Sequence, residues 1–116
     1  MDVLIEINSA MEETKSGIAA SDVKQLVTEI TEECPNVRVC GLMCIPPIAA
    51  EPEDSRPYFK EAAELFTEMK GWELPAERFA PVELSMGMSG DFEVAIEEGA
   101  TMVRVGSSIF GPRNYR

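Results

Sequence analysis

Leu84-Ser85-Met86-Gly87-Met88-Ser89-Gly90 and, one short helical stretch later, Val103-Arg104-Val105-Gly106-Ser107-Ser108 decide how this chain is read. Each starts as an apolar run suited to a strand and breaks into glycine and serine, the residues of a turn at a strand's C-terminal end. Side chains alternate along a strand. Leu84 and Met86 therefore face away from Glu83 and Ser85, while Val103 and Val105 face away from Met102, Arg104 and Gly106. Near the other end of the chain Ile5 and Ile7 oppose Glu6 and Asn8 in the same way. A parallel sheet covered by helices on both faces wants apolar residues on both. The wall of a β/α barrel has a helix-covered outside and an inside that turns polar near the strand C-termini, so the pattern predicts barrel geometry.

Working outward, four strands are expected: Val3-Leu4-Ile5-Glu6-Ile7, residues 37–43 ahead of Pro46-Pro47, residues 82–86, and residues 102–105. Between the first two, Val23, Leu26, Val27, Ile30 and Cys34 recur with helical period behind Ser21, an expected N-cap, and Pro35 closes the segment. Ser55 and Pro57 open a second helix whose Phe59, Ala62, Ala63, Phe66 and Met69 share a face up to Gly71. A third is expected from a Ser89 cap through Phe92, Ala95 and Ile96 to Gly99, with Asp91 and Glu93 in its first turn. Residues 46–53 and 72–81 read as irregular connections. The class is α/β, with four parallel strands and three helices. Four strands cannot close a (β/α)8 barrel, which needs eight strands and about 250 residues. The expected architecture is half of such a barrel, a single partial domain over residues 1–116.

The composition narrows the function. In 116 residues there are 21 acidic and 10 basic side chains and no histidine, for a net charge of −11. The missing histidine removes the commonest general base and the commonest metal ligand, and no catalytic residue or metal ligand is assigned. An acidic chain repels phosphate backbones and anionic leaflets, and no apolar run approaches the roughly 20 residues of a membrane span. Nucleic acid and membrane are set aside as partners, and with no secretory leader the chain is expected to be cytoplasmic. Cys34, Cys40 and Cys44 form no C-x-x-C pair, and along one strand Cys40 and Cys44 would stand about 13 Å apart, too far to bridge. They read as free thiols.

Chemistry is concentrated where the two quoted stretches turn. Glycine and serine after a strand offer backbone N–H groups that hold an anion without a basic side chain, and the last strands of β/α barrels often end in phosphate sites. The plainer reading is that the glycines only make turns and Ser89 only caps a helix. Arg104 is harder to dismiss, because a cation inside an apolar strand is costly unless it meets a carboxylate or a ligand. Glu6 and Glu83, on the same face, are the carboxylates available for an internal ion pair.

The stretch from Leu84 to Ser89 with Asp91, the run Glu98-Gly99-Ala100-Thr101-Met102-Val103-Arg104-Val105-Gly106-Ser107, and Ile109-Phe110-Gly111-Pro112-Arg113-Asn114-Tyr115 resemble the C-terminal signature of the pyridoxal-phosphate homeostasis proteins, the YggS/PROSC family related to the N-terminal domain of alanine racemase. Upstream, Ile5-Glu6-Ile7-Asn8, Lys15-Ser16-Gly17-Ile18 and Cys40-Gly41-Leu42-Met43-Cys44-Ile45-Pro46 resemble the family's middle strands, so the similarity spans nearly the whole chain. The resemblance implies a fold type III barrel that binds pyridoxal 5′-phosphate, of which this chain matches only the C-terminal half.

Carried over by position, Ser85, Met86 and Gly87 would line the cofactor, Gly106 and Ser107 would hold its phosphate, and Arg104 would face the pyridine nitrogen. The lysine that holds the aldehyde as a Schiff base in the family has no counterpart here: Lys15 follows a loop, and Lys24, Lys60 and Lys70 lie on helix faces. The resemblance implies a cofactor carrier serving intracellular supply rather than a turnover enzyme. The alternatives are a racemase-like enzyme on the same cofactor and a half-barrel that self-associates and binds nothing. An open four-stranded sheet would leave two raw edges and an uncovered inner face, so association with the missing half-barrel or with a second copy is expected.

Overall fold

The computed structural model describes residues 1–8, 17–47 and 51–104. Four strands, β1 (Asp2–Ile7), β2 (Arg38–Cys44), β3 (Phe79–Met88) and β4 (Met102–Arg104), alternate with three helices, α1 (Val23–Glu33), α2 (Arg56–Met69) and α3 (Phe92–Glu97). The strands are all parallel and lie in sequence order, β1-β2-β3-β4. When each crossover is right-handed and each step goes to the next neighbour in one direction, every helix falls on the same side of the sheet. That one-way winding is a barrel wall, not a doubly wound sheet, as the one-sided strand pattern predicts.

The helix side holds the core. Ile5, Ile7, Val39, Leu42, Cys44, Phe79, Leu84 and Met86 from the sheet meet Val23 and Val27 of α1, Phe59, Ala62, Leu65, Phe66 and Met69 of α2, and Val94 and Ala95 of α3. Burying a side chain of the size of Ile7, Phe59 or Leu84 contributes about 1.5–3 kcal/mol, so this layer dominates the stability. The opposite face has no such cover. Val82 is 61% exposed and Met102 46%, and with Leu4 and Cys40 they line an open groove of about 460 Å³. Arg38 grips Asp2 there through two hydrogen bonds of 3.0 and 2.8 Å, which holds the Asp2 carboxyl below its ordinary pKa.

Several expected boundaries move, each for a local reason. Ser21 is not the cap of the first helix. A 3-10 turn over Ala20–Asp22 feeds the chain in already helical, and Asp22 takes the N-cap position. Ser89 does not cap the third helix either, because β3 runs on to Met88 and Asp91 precedes α3. The strand also begins earlier than expected, at Phe79, whose ring stacks on Trp72 with centroids 6.0 Å apart. Pro81 is tolerated inside it because the ladder is interrupted there. Val39 pairs Phe79 and Gly41 pairs Glu83, so two residues of β2 span four of β3 and the proline, which has no N–H, sits in the slack. The close passage falls on Gly41, where an added Cβ would lie 1.7 Å from the Glu83 carbonyl oxygen.

Outside the sheet, one guanidinium ties two connections together. Arg56 at the start of α2 donates to Glu53 at 2.8 Å, to Glu97 at 2.7 Å and to Glu98 at 2.5 Å, joining the β2–α2 turn to the end of α3. The hydrogen bond from Arg56 lowers the pKa of Glu53, and the three carboxylates raise that of Arg56. The three cysteines form no disulfide, and Cys40 and Cys44 are buried. Among the described residues no helix is long and apolar enough to cross a membrane.

Candidate site at the end of the last two strands

The C-terminal part of β3 and the described residues of β4 meet at the β3–β4 edge. Ser85 pairs Met102 and Met88 pairs Arg104, so β3 advances three residues while β4 advances two. The extra residue is absorbed by a bulge at Gly87, whose φ of +103° lies in the left-handed region. A Cβ there would stand 2.7 Å from the Ala95 Cβ and 3.2 Å from the Phe92 Cα, so α3 packs against bare backbone. The bulge brings Met88, 49% exposed, level with Arg104. Beyond it the chain turns back at once: Met88 N–H donates to Asp91 Oδ1 at 2.8 Å, and Asp91 N–H to the Met88 carbonyl at 3.1 Å.

Arg104 is the anomaly of this edge. Its Nε and Nη2 are buried and have no hydrogen-bond partner among the described residues. The internal ion pair open to it on sequence grounds does not form. Glu6 lies on β1, three strands away, roughly 14 Å at about 4.8 Å per strand. Glu83 is nearer, but its Oε2 accepts a 2.7 Å hydrogen bond from the Thr101 hydroxyl. Buried donors left unmatched cost about 1–3 kcal/mol and more on a charged group, so a functional explanation is called for.

The expected site residues divide by face. Glu6, Met43, Ser85 and Met102 form one row of paired positions across the sheet, with Ser85 only 2% exposed. Met86 is fully buried in the helix-side core beside Cys44, so any ligand contact from it would be made by its backbone. Gly87 supplies the bulge. Gly106 and Ser107, the expected anion cradle, and Lys15 lie outside the described residues. Sequence reasoning missed Thr101, whose hydroxyl also accepts the Leu84 N–H at 2.7 Å. The available signal was a hydroxyl residue directly before a strand and two positions after a glycine helix stop.

Two orphaned, permanently protonated donors at the C-terminal end of a strand ask for an acceptor, either a heterocyclic nitrogen or an anionic oxygen. The residues present therefore fit the ring side of a pyridoxal 5′-phosphate site. Among the described residues no group of histidine, cysteine or acidic side chains is placed to hold a metal.

A one-way parallel wall with its unusual side chains at the strand C-termini is half of a (β/α)8 barrel, and the chain belongs to the alanine racemase N-terminal domain family, whose model matches residues 1–114. Within that family it falls with the YggS/PROSC proteins. It is 54% identical over 114 residues to the pyridoxal phosphate homeostasis protein of Aquifex aeolicus, covering 98% of this chain and 48% of that one. It is 40% identical over 117 residues to the Homo sapiens protein of the same name, covering 99% and 42%. A crystal structure of an unknown protein from Bifidobacterium adolescentis superimposes with a TM-score of 0.81 at 34% identity, over 94% of this chain and 42% of the other. PipY of Synechococcus elongatus, solved with PLP bound, superimposes with a TM-score of 0.69 at 28% identity, over 95% and 49%. The chain thus spans about half the length, or slightly less, of the relatives it matches.

Proposed function

We propose that this chain is the C-terminal half of a pyridoxal 5′-phosphate-binding barrel acting in intracellular cofactor homeostasis, as a carrier rather than a turnover enzyme. The observation that supports it is the guanidinium of Arg104, whose buried Nε and Nη2 have no partner among the described residues. Arg104 would donate to the ring nitrogen, the backbone of Met86 and Gly87 and the side chain of Ser85 would flank the ring, and Gly106 and Ser107 would hold the phosphate. When bound, the cofactor supplies an electron-withdrawing ring whose power depends on protonation of its nitrogen. Arginine stays protonated and can only donate, so it keeps that nitrogen unprotonated and supports carbanion chemistry poorly. Holding, not turnover, is what such a residue favours.

No lysine of this chain matches the covalent anchor of the family, so binding to the chain alone would be reversible. The uncovered face, with Val82 61% and Met102 46% exposed, would be closed by the remaining half of the barrel or by a second copy, in the cytoplasm. Titrating the chain with pyridoxal 5′-phosphate tests the reading. A saturable absorbance change that dialysis removes is expected, weakened about 10–100-fold in Arg104→Leu, the range for a hydrogen bond to a charged group. An absorbance band that survives dialysis would contradict the missing anchor, and equal binding by the variant would contradict the role of Arg104.

A further inference from the structure

Among the described residues β4 pairs β3 at Ser85 with Met102 and at Met88 with Arg104, and the register shifts between the two pairs, so contacts outside the regular ladder help set where Arg104 points. Immediately before β4, Thr101 makes three short contacts to β3. Its N–H donates to the Leu84 carbonyl at 2.9 Å, its hydroxyl accepts the Leu84 N–H at 2.7 Å, and the same hydroxyl donates to Glu83 Oε2 at 2.7 Å. The hydroxyl has one hydrogen. With Glu83 taking it at 2.7 Å, the 3.4 Å approach to the Leu84 carbonyl is secondary. The oxygen is thus fixed as an acceptor towards Leu84, a residue 1% exposed whose N–H has little access to water.

We propose that Thr101 is a positioning residue for Arg104: its hydroxyl, oriented by Glu83 and clamped to the Leu84 backbone, sets the start of β4 three residues upstream of the guanidinium. The Gly87 bulge then fixes the shift, and the two together decide which atom Nε and Nη2 face. The inference rests on the cofactor reading for its consequence, but not for its geometry. Valine at 101 keeps the shape and β-branching and removes both side-chain hydrogen bonds. Serine keeps both.

The test compares Thr101→Val, Thr101→Ser and Glu83→Ala in the full chain by amide hydrogen exchange and by the absorbance of added pyridoxal 5′-phosphate. In Thr101→Val the amides of Met102, Val103 and Arg104 should exchange on the order of tenfold faster, the loss expected for one hydrogen bond, while those of Val39 and Leu42 in β2 keep their protection. The bound-cofactor spectrum should shift with them. Thr101→Ser should restore both readouts. Glu83→Ala, which frees the hydroxyl without removing it, should give a smaller change at the same amides, and it decides the question if the valine variant does not fold. Uniform loss of protection across the sheet, or a serine variant that behaves like valine, would overturn the proposal. If the wild-type chain takes up no cofactor, the functional reading fails, while the exchange pattern still decides the role of Thr101.

Discussion

Replacing Gly87 by alanine should destabilise the chain by about 2–5 kcal/mol, and the structure separates two causes. The backbone there has φ +103°, a conformation that costs a residue with a Cβ about 1–2 kcal/mol. The added methyl would also stand 2.7 Å from the Ala95 Cβ and 3.2 Å from the Phe92 Cα and Val103 Cγ1, an overpacking worth about 1–3 kcal/mol. Gly99 supplies the control. It has nearly the same φ, +108°, at the end of α3, but nothing lies within 4 Å of its would-be Cβ, so Gly99→Ala should lose only the backbone part, about 1–2 kcal/mol. Gly90 has open space and no left-handed φ, so Gly90→Ala should change stability little. Urea denaturation of the three variants, compared by midpoint at constant slope, reads the series directly. Equal losses at Gly87 and Gly99 would refute the claim that the approach of α3 is what demands glycine at the bulge.

Other perturbations have equally definite outcomes. Phe59→Ala removes a fully buried ring from the centre of the helix-side core and should cost about 3–5 kcal/mol in the same denaturation assay. Arg56→Ala leaves Glu53, Glu97 and Glu98 facing one another without their cation, so the melting temperature should fall, and added salt should recover part of the loss by screening. Asp2 and Glu53 have folded pKa values below their ordinary ones because Arg38 and Arg56 hydrogen-bond the charged forms. Their contribution to stability is therefore complete above the ordinary carboxylate range and disappears as pH falls through the lowered values. Carboxyl carbon shifts followed by NMR should place both midpoints below the ordinary values of aspartate and glutamate.

The fold was legible because its signals are local. Alternation along Ile5 to Asn8 and Glu83 to Met86 shows one apolar face per strand, and the spacing of Val23, Val27 and Ile30 marks a helix, before any contact is known. What the sequence hides is relational. Nothing in Phe79-Ala80-Pro81 announces a strand, because the proline is excused only by the slack opposite Val39 and Gly41, two positions on another strand. The Gly87 bulge is likewise a statement about β4. The capping roles expected of Ser21 and Ser89 failed because a 3-10 turn leads into the first helix and because β3 runs on to Met88, so that Asp91 holds the cap position of α3, both outcomes of packing rather than of propensity.

At the site, polar residues were placed on the correct face, but partnership was not legible. Arg104 and Glu83 share the inner face and adjacent strands, which made an ion pair the natural expectation. Instead Glu83 accepts the Thr101 hydroxyl at 2.7 Å, and Arg104 Nε and Nη2 have no partner among the described residues. A sequence lists which groups share a face, and only the register says which of them touch.

The central claim is that the unmatched guanidinium of Arg104 is kept for the cofactor's ring nitrogen. The most direct measurement is the ¹⁵N resonance of Arg104 Nε during addition of pyridoxal 5′-phosphate to the labelled chain. The account predicts a saturable shift confined to that guanidinium and to the residues of the β3–β4 edge. A resonance that stays in place while the cofactor binds elsewhere would contradict it.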